Sequence, residues 1–130
     1  MTRRIAQSAG VAAALAGTLL LPVPAADAAP AHRTSSACTH HLSGPQVCIR
    51  LVGRGTRQDH VIAVWANPPK GVNERTAHLY KGGGEPFVPV TGHRDGDEIT
   101  ADWGWMDLKP GAVCVGFDGT EGRRACQDVS

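Results

Sequence analysis

Residues 108–126 hold two cysteines on either side of a predicted turn, and this constrains the fold more than any other feature. Apolar side chains alternate with Cys114 in the first half of the segment, which is the period of a half-buried strand. They are Val113, Val115 and Phe117. Glycine and aspartate at 118–122 favour a turn. Cys114 and Cys126 are equally far from its centre, so we predict that they face each other across a β-hairpin.

The chain has four cysteines, which allow three disulfide pairings. A bridge from Cys48 to Cys114 through the core would resemble that of immunoglobulin domains. However, both cysteines lie in the opposite phase to their apolar neighbours, so both thiols point away from the predicted core. We therefore favour two local bridges, Cys38–Cys48 and Cys114–Cys126.

Residues 1–28 have the pattern of a secretory signal peptide. Two arginines are followed by an Ala- and Leu-rich stretch and by Ala-Asp-Ala at 26–28, which is a typical cleavage site. The apolar stretch is shorter than a membrane span. We expect residues 29–130 to be secreted and to remain outside the cell or at the cell wall, with a disordered tail at 29–36. Disulfides persist in that compartment.

Residues 37–130 predict one all-β domain. Short alternating segments are separated by turn-forming residues about every 8–12 positions, and no segment has a helical period. The predicted strands cover 38–42, 46–52, 60–66, 74–81, 86–91, 98–106 and the two arms of the hairpin at 108–129. Residues 53–59 are predicted to be a loop, and Asp95-Gly96 a hairpin turn. This pattern favours a two-sheet antiparallel β-sandwich of seven to eight short strands.

The sequence Leu-Lys-Pro-Gly-Ala-Val-Cys-Val at 108–115 resembles the approach to the sixth strand of fibronectin type III and related immunoglobulin-like domains. The aromatic corner residue of those domains is absent, since Ala112 and Val113 follow the turn. The chain is also similar to small secreted actinobacterial proteins of unassigned function. These resemblances imply an immunoglobulin/fibronectin type III-like sandwich that is exported, and they imply no activity.

Charge and motifs argue against several functions. The formal net charge is +1, so no basic surplus indicates nucleic acid or an anionic membrane as partner. No serine lies in G-x-S-x-G and no histidine in H-E-x-x-H. The acidic residues Asp95, Asp97, Glu98 and Asp102 lack the spacing of a calcium loop. We expect no catalytic residues, no cofactor and no metal.

The loop at 67–71, Asn-Pro-Pro-Lys-Gly, is the first candidate binding site. Its prolines stiffen the chain and lower the entropy cost of docking. Pro69 and Lys70 would then contact a partner. The alternative is an ordinary turn between strands.

Trp103 and Trp105 are the second candidate site. They are two residues apart, so they share one face of a strand, and exposed indoles would stack on sugar rings. They also share the phase of Ile99 and Ala101, which favours packing in the core. Trp65 lies in the most apolar segment and is expected to be a core residue.

The leading functional hypothesis is a secreted, monomeric, non-catalytic module that binds an extracellular protein or a cell-wall polymer. A secreted protease or glycosidase inhibitor that presents the proline-containing loop is one alternative. In that case Lys70 would be the reactive-site residue. A small secreted hydrolase that uses the acidic residues at 95–102 is the other.

Overall fold

The computed structural model describes residues 33–39 and 44–130. The predicted signal peptide at 1–28 and residues 29–32 of the predicted tail lie outside them. Within the two described ranges, ten strands follow one another. They are β1 (Arg33–Cys38), β2 (Gln46–Arg54), β3 (Arg57–Ala66), β4 (Glu74–Lys81), β5 (Glu85–Pro86), β6 (Val90–Asp95), β7 (Glu98–Asp102), β8 (Met106–Asp107), β9 (Gly111–Phe117) and β10 (Arg124–Val129).

All ladders are antiparallel, and eight strands follow the order β1-β2-β3-β7-β6-β4-β9-β10. The short strands β5 and β8 add to β4 and β3. The sheet curls until its two edges, β1 and β10, face each other, and the Gln127 side-chain amide donates a hydrogen bond to Ser35 Oγ across the gap. We call this gap the seam. The sheet is therefore nearly a closed barrel.

The core lies inside the curled sheet and follows the predicted alternation. In β2 the inward residues are Val47, Ile49 and Leu51. The core residues of the other strands are Val61, Ala63, Trp65, Ala77, Leu79, Ile99, Ala101, Val113, Val115 and Phe117. Burial of each large apolar side chain contributes about 1.5–3 kcal/mol. The core prediction for Trp65 is confirmed, since the residue is 4% exposed.

Both predicted disulfides are confirmed. Cys38 lies directly opposite Cys48 in the β1–β2 ladder, and Cys114 lies directly opposite Cys126 in the β9–β10 ladder. Each bridge therefore attaches one edge strand of the seam to its inner neighbour. By loop entropy each contributes about 2.7 kcal/mol.

Three predictions about the first strands are wrong. Residues 33–36, which were expected to belong to a disordered tail, form most of β1, because their backbone pairs with β2 although their side chains are polar and exposed. The predicted loop at 53–59 is instead a tight hairpin. β2 continues to Arg54 and β3 begins at Arg57, with Gly55 between them at φ +52°. The first strand ends at Cys38 rather than at 42, and residues 40–43 lie outside the described part.

The later strands are shorter than the alternation suggests. Pro86 and Pro89 cannot donate to a ladder, so the segment at 86–91 divides between β5 and β6. The hairpin at Asp95-Gly96 is confirmed, because β6 and β7 pair around it and Gly96 has φ +60°. Within residues 33–39 and 44–130 there is no helix of the length and apolarity needed to cross a membrane.

Candidate binding surfaces

Residues 67–73 form a fixed turn after β3, which we call the proline loop. The Val72 N–H donates to the Pro69 carbonyl at 3.2 Å, and Gly71 between them has φ +86°, which glycine adopts without strain. Asn67 N–H donates to the Asp97 carbonyl at 2.7 Å. Pro68 is buried, whereas Pro69 and Lys70 are exposed, as the prediction of a binding loop requires.

Arg94 of β6 donates hydrogen bonds to the backbone of the proline loop. Its guanidinium donates to the carbonyls of Pro69 at 2.7 Å, Val72 at 2.9 Å and Pro68 at 3.0 Å. A fourth bond reaches the Gly96 carbonyl at 3.3 Å. Bonds from a charged donor are stronger than neutral ones, so Arg94 fixes the backbone that carries Pro69 and Lys70.

No sequence pattern indicates this role for Arg94. The arginine is 25 residues from Pro69 along the chain, and no local pattern relates a strand residue to a loop at that distance. The sheet order brings them together, since β6 is hydrogen-bonded to β7 and β7 to β3, which precedes the loop.

A cleft of about 450 Å³ lies beside the proline loop, and we call it the loop cleft. Its lining consists of Gly44, Pro45, Trp65, Asn67, Pro69, Val72, Arg75, Gly119 and Glu121. The indole N–H of Trp65 is buried and has no hydrogen-bond partner among the described residues. Such groups are uncommon in native proteins. The loop cleft therefore combines a rigid wall, an apolar ring and charged groups of both signs.

Trp103 and Trp105 do not share a strand face. β7 ends at Asp102, whose carboxylate accepts a hydrogen bond from the Gly104 N–H at 2.7 Å, and Gly104 has φ +71°. This turn interrupts the alternation that predicts one continuous strand at 98–106. Trp103 packs partly against the core and donates its indole N–H to the Val88 carbonyl at 2.7 Å.

Trp105 is 63% exposed, so the expectation that it packs in the core is wrong. Among the described residues, Trp105 and Val88 are the exposed large hydrophobic side chains, and the Trp103 bond ties the Val88 backbone to the same end of the molecule. The structure thus leaves Trp105 accessible to a ligand.

The acidic residues at 95–102 lie along the β6–β7 hairpin, where Asp95 is directly opposite Glu98. Asp95 and Asp97 are exposed, Glu98 lies 4.0 Å from Arg50, and Asp102 lies 2.7 Å from His60 Nδ1. Within residues 33–39 and 44–130, no three His, Cys, Asp or Glu side chains are close enough together to hold a metal ion.

Three histidines on the outer surface pair with carboxylates of neighbouring strands or turns. His60–Asp102 and His78–Asp118 are 2.7 and 2.8 Å apart, and His93–Glu74 are 3.1 Å apart. All these groups are solvent-accessible, and exposed pairs contribute about 0–1 kcal/mol each. They stabilise the surface slightly and do not assemble a site.

No protein-family model, no curated protein and no solved structure matches this chain.

Proposed function

We propose that the protein is a secreted, non-catalytic module that binds an extracellular protein through the proline loop and the loop cleft. The observation that carries this proposal is the set of Arg94 hydrogen bonds to the loop carbonyls. A loop already held in one conformation loses little entropy on docking. Its exposed Pro69 and Lys70 would contact the partner directly.

The loop cleft supports the same proposal. Concave surfaces beside rigid loops are where binding sites occur most often. Arg75 and Glu121 line the cleft, and both are exposed, so they are available to fix the orientation of a partner. A side chain with a hydrogen-bond acceptor would also satisfy the unpaired indole N–H of Trp65 if it reached that depth.

A cell-wall polymer is the second candidate ligand, because Trp105 is 63% exposed. An exposed indole provides an apolar face on which a sugar ring can stack. This surface is at the other end of β3 from the proline loop, since β8, which follows Trp105, pairs with Arg57 and Gln58. The two candidates therefore depend on different residues.

The inhibitor alternative is less favoured by the loop geometry. Peptides that occupy a protease site commonly bind as extended strands, whereas Lys70 lies within a tight turn closed by the Val72–Pro69 hydrogen bond. Inhibition of trypsin by the protein would support this alternative, and Lys70→Ala should then remove the inhibition.

We further propose that the curled sheet is a sandwich whose layers are β1-β2-β3-β7 and β6-β4-β9-β10. Contacts of β2 with β9 and β10, across the core, support two facing layers. The likeness to immunoglobulin and fibronectin type III domains is restricted to this layering. In immunoglobulin domains the second and third strands belong to different sheets, whereas here β2 and β3 are paired. Export is supported by the two disulfides.

The test is retention on the immobilised, oxidised protein of residues 29–130, with secreted proteins and purified cell wall of the producing organism as separate samples. The proline loop is altered by Lys70→Glu and the indole surface by Trp105→Ala. Lys109→Glu is the matched control for charge, because Lys109 is also exposed but lies outside the proline loop and the loop cleft.

We expect a discrete secreted protein to be retained by the parent, by Lys109→Glu and by Trp105→Ala, and to be lost with Lys70→Glu. Wall retention that disappears only with Trp105→Ala would support the polymer instead. Retention of neither sample, or retention that no variant changes, would contradict both surfaces.

A further inference from the structure

A second cleft, of about 430 Å³, lies where the ends of β1, β2 and β10 meet at the seam. We call it the mouth cleft. Its lining consists of Arg33, Ser35, Leu51, Gly53, Arg54, Gly55, Gln58, Gln127, Asp128, Val129 and Ser130. It is at the Arg57 end of β3, whereas the proline loop follows the Ala66 end. Mouths of barrel-like sheets are frequent ligand sites.

Gln58 is a buried polar side chain in this cleft. It is 3% exposed, and its Nε2 donates to the Gly55 carbonyl at 2.8 Å, which fixes the amide. Its Oε1 is buried without a hydrogen-bond partner among the described residues. A Cβ atom at residue 53 would lie 2.8 Å from this oxygen and 2.5 Å from the Arg57 carbonyl oxygen, so the glycine backbone packs closely against the Gln58 side chain.

Gln127 repeats this arrangement on β10. Its Nε2 donates to Ser35 Oγ across the seam, and its Oε1 is likewise buried without a partner. An unsatisfied buried acceptor destabilises the folded protein. Two such carboxamide oxygens in one cleft favour a ligand that brings at least two hydrogen-bond donors.

The charged groups of the mouth cleft are on opposite sides. Arg33 and Arg54 both line the cleft on its β1–β2 side. Asp128 lies on β10, next to Gln127. The arginines and Asp128 are exposed. The cleft thus has a cationic side and an acceptor side.

We propose that the mouth cleft binds a free α-amino acid. The ammonium group would donate to the two glutamine oxygens, and the carboxylate would accept from Arg33 and Arg54, which bind carboxylates in a fork geometry. A simple cation is disfavoured because the arginines repel it, and a simple anion leaves both oxygens unpaired. This site goes beyond the proposed function and shares no residue with the proline loop.

The experiment is an NMR titration of the full oxidised domain, followed through backbone amide shifts, with glycine, L-alanine and L-glutamine as ligands. Ethylamine and propionate test the two charged halves separately, and glucose tests a neutral polyol. We expect saturable shifts at residues 53–58 and 127–129 with a Kd in the millimolar range or below, on the order of −4 kcal/mol or stronger. Each half should bind at least about tenfold more weakly.

Gln127→Leu and Arg54→Gln should each weaken amino-acid binding about tenfold, which is the effect of one lost charge-assisted hydrogen bond. Arg124→Gln is the control on the same strand, because Arg124 lies over the Tyr80 ring and outside the mouth cleft. Gln58→Leu tests the oxygen of Gln58. If this variant does not fold, the test of the acceptor side rests on Gln127→Leu.

Three results would overturn the proposal. They are no shift at about 10 mM amino acid, equal binding of glucose, and unchanged affinity in both Gln127→Leu and Arg54→Gln.

Discussion

The two ends of β3 differ in how the polar groups around them are paired. Beyond Ala66, the guanidinium of Arg94 donates to three carbonyls of the proline loop. Around Arg57, the neighbouring strand breaks at Gly104, and Trp105 turns towards solvent. One end is thus held together by a polar side chain, whereas the other leaves an indole exposed and two glutamine oxygens unpaired.

The two ends differ in how much of their hydrogen-bonding capacity is already used within the molecule. A loop with satisfied carbonyls has one conformation, so it presents fixed side chains to a partner. An end with unpaired acceptors keeps hydrogen-bonding capacity that only a ligand or water can use. The core between them is continuous from Val61 to Trp65, and both ends therefore depend on the same scaffold.

The largest expected change in stability concerns Arg94, at the proline-loop end of β3. Arg94→Ala removes the guanidinium from three loop carbonyls, of which only that of Pro69 keeps another donor among the described residues, the Val72 N–H. We therefore expect a loss of about 2–3 kcal/mol in the free energy of unfolding, measured by urea denaturation. Trypsin should also cleave after Lys70 faster than in the parent. Arg94→Lys keeps the charge but not the forked geometry, and should recover little.

Arg50→Ala is the matched control, because its contact with Glu98 is long and exposed at 4.0 Å. It should cost less than about 1 kcal/mol. If Arg94→Ala costs no more than Arg50→Ala and trypsin cleavage is unchanged, the proline loop does not depend on Arg94.

The next largest change in stability is expected at the Arg57 end of β3, where the two tryptophans differ. Trp103→Ala removes a ring that packs on the core and its hydrogen bond to the Val88 carbonyl, so we expect a loss of about 2 kcal/mol. Trp105→Ala should change stability by no more than about 0.5 kcal/mol. Thermal and urea unfolding of both variants measure this difference, and equal losses would show that Trp105 has a structural role.

The smallest effect concerns the turn that exposes Trp105. Gly104→Ala places a side chain at φ +71°, which costs about 1 kcal/mol. Gly82→Ala is the control, since no atom lies within 4 Å of its added Cβ and its φ is not positive. We expect no loss of stability in the control. An unchanged Gly104→Ala variant would mean that this turn adapts readily.

Local patterns in the sequence were sufficient for much of the fold. The alternation in β2 and β9 predicts which side chains are buried, because successive side chains of a strand point to opposite faces. The same rule, with the turn positions, predicts both disulfides. It fails at 33–36, since an edge strand held by backbone hydrogen bonds and a disulfide needs no apolar side chains.

The exposed positions of Pro69 and Lys70 were also within reach of the sequence, because two prolines and a glycine specify a turn. The exposure of Trp105 could not be predicted in this way. Gly104 has a positive φ and interrupts the strand, so Trp105 does not lie on the expected face. The sequence pattern around a glycine is the same whether or not the strand breaks there.

The sequence by itself thus determined most of the strands, their inward faces and the cysteine partners, all of which depend on neighbours within about 12 residues. Only the tertiary structure decided that Arg94 holds the proline loop and that Gln58 and Gln127 share one cleft. These residues are far apart in the chain, and the curl of a single sheet around its core brings them together.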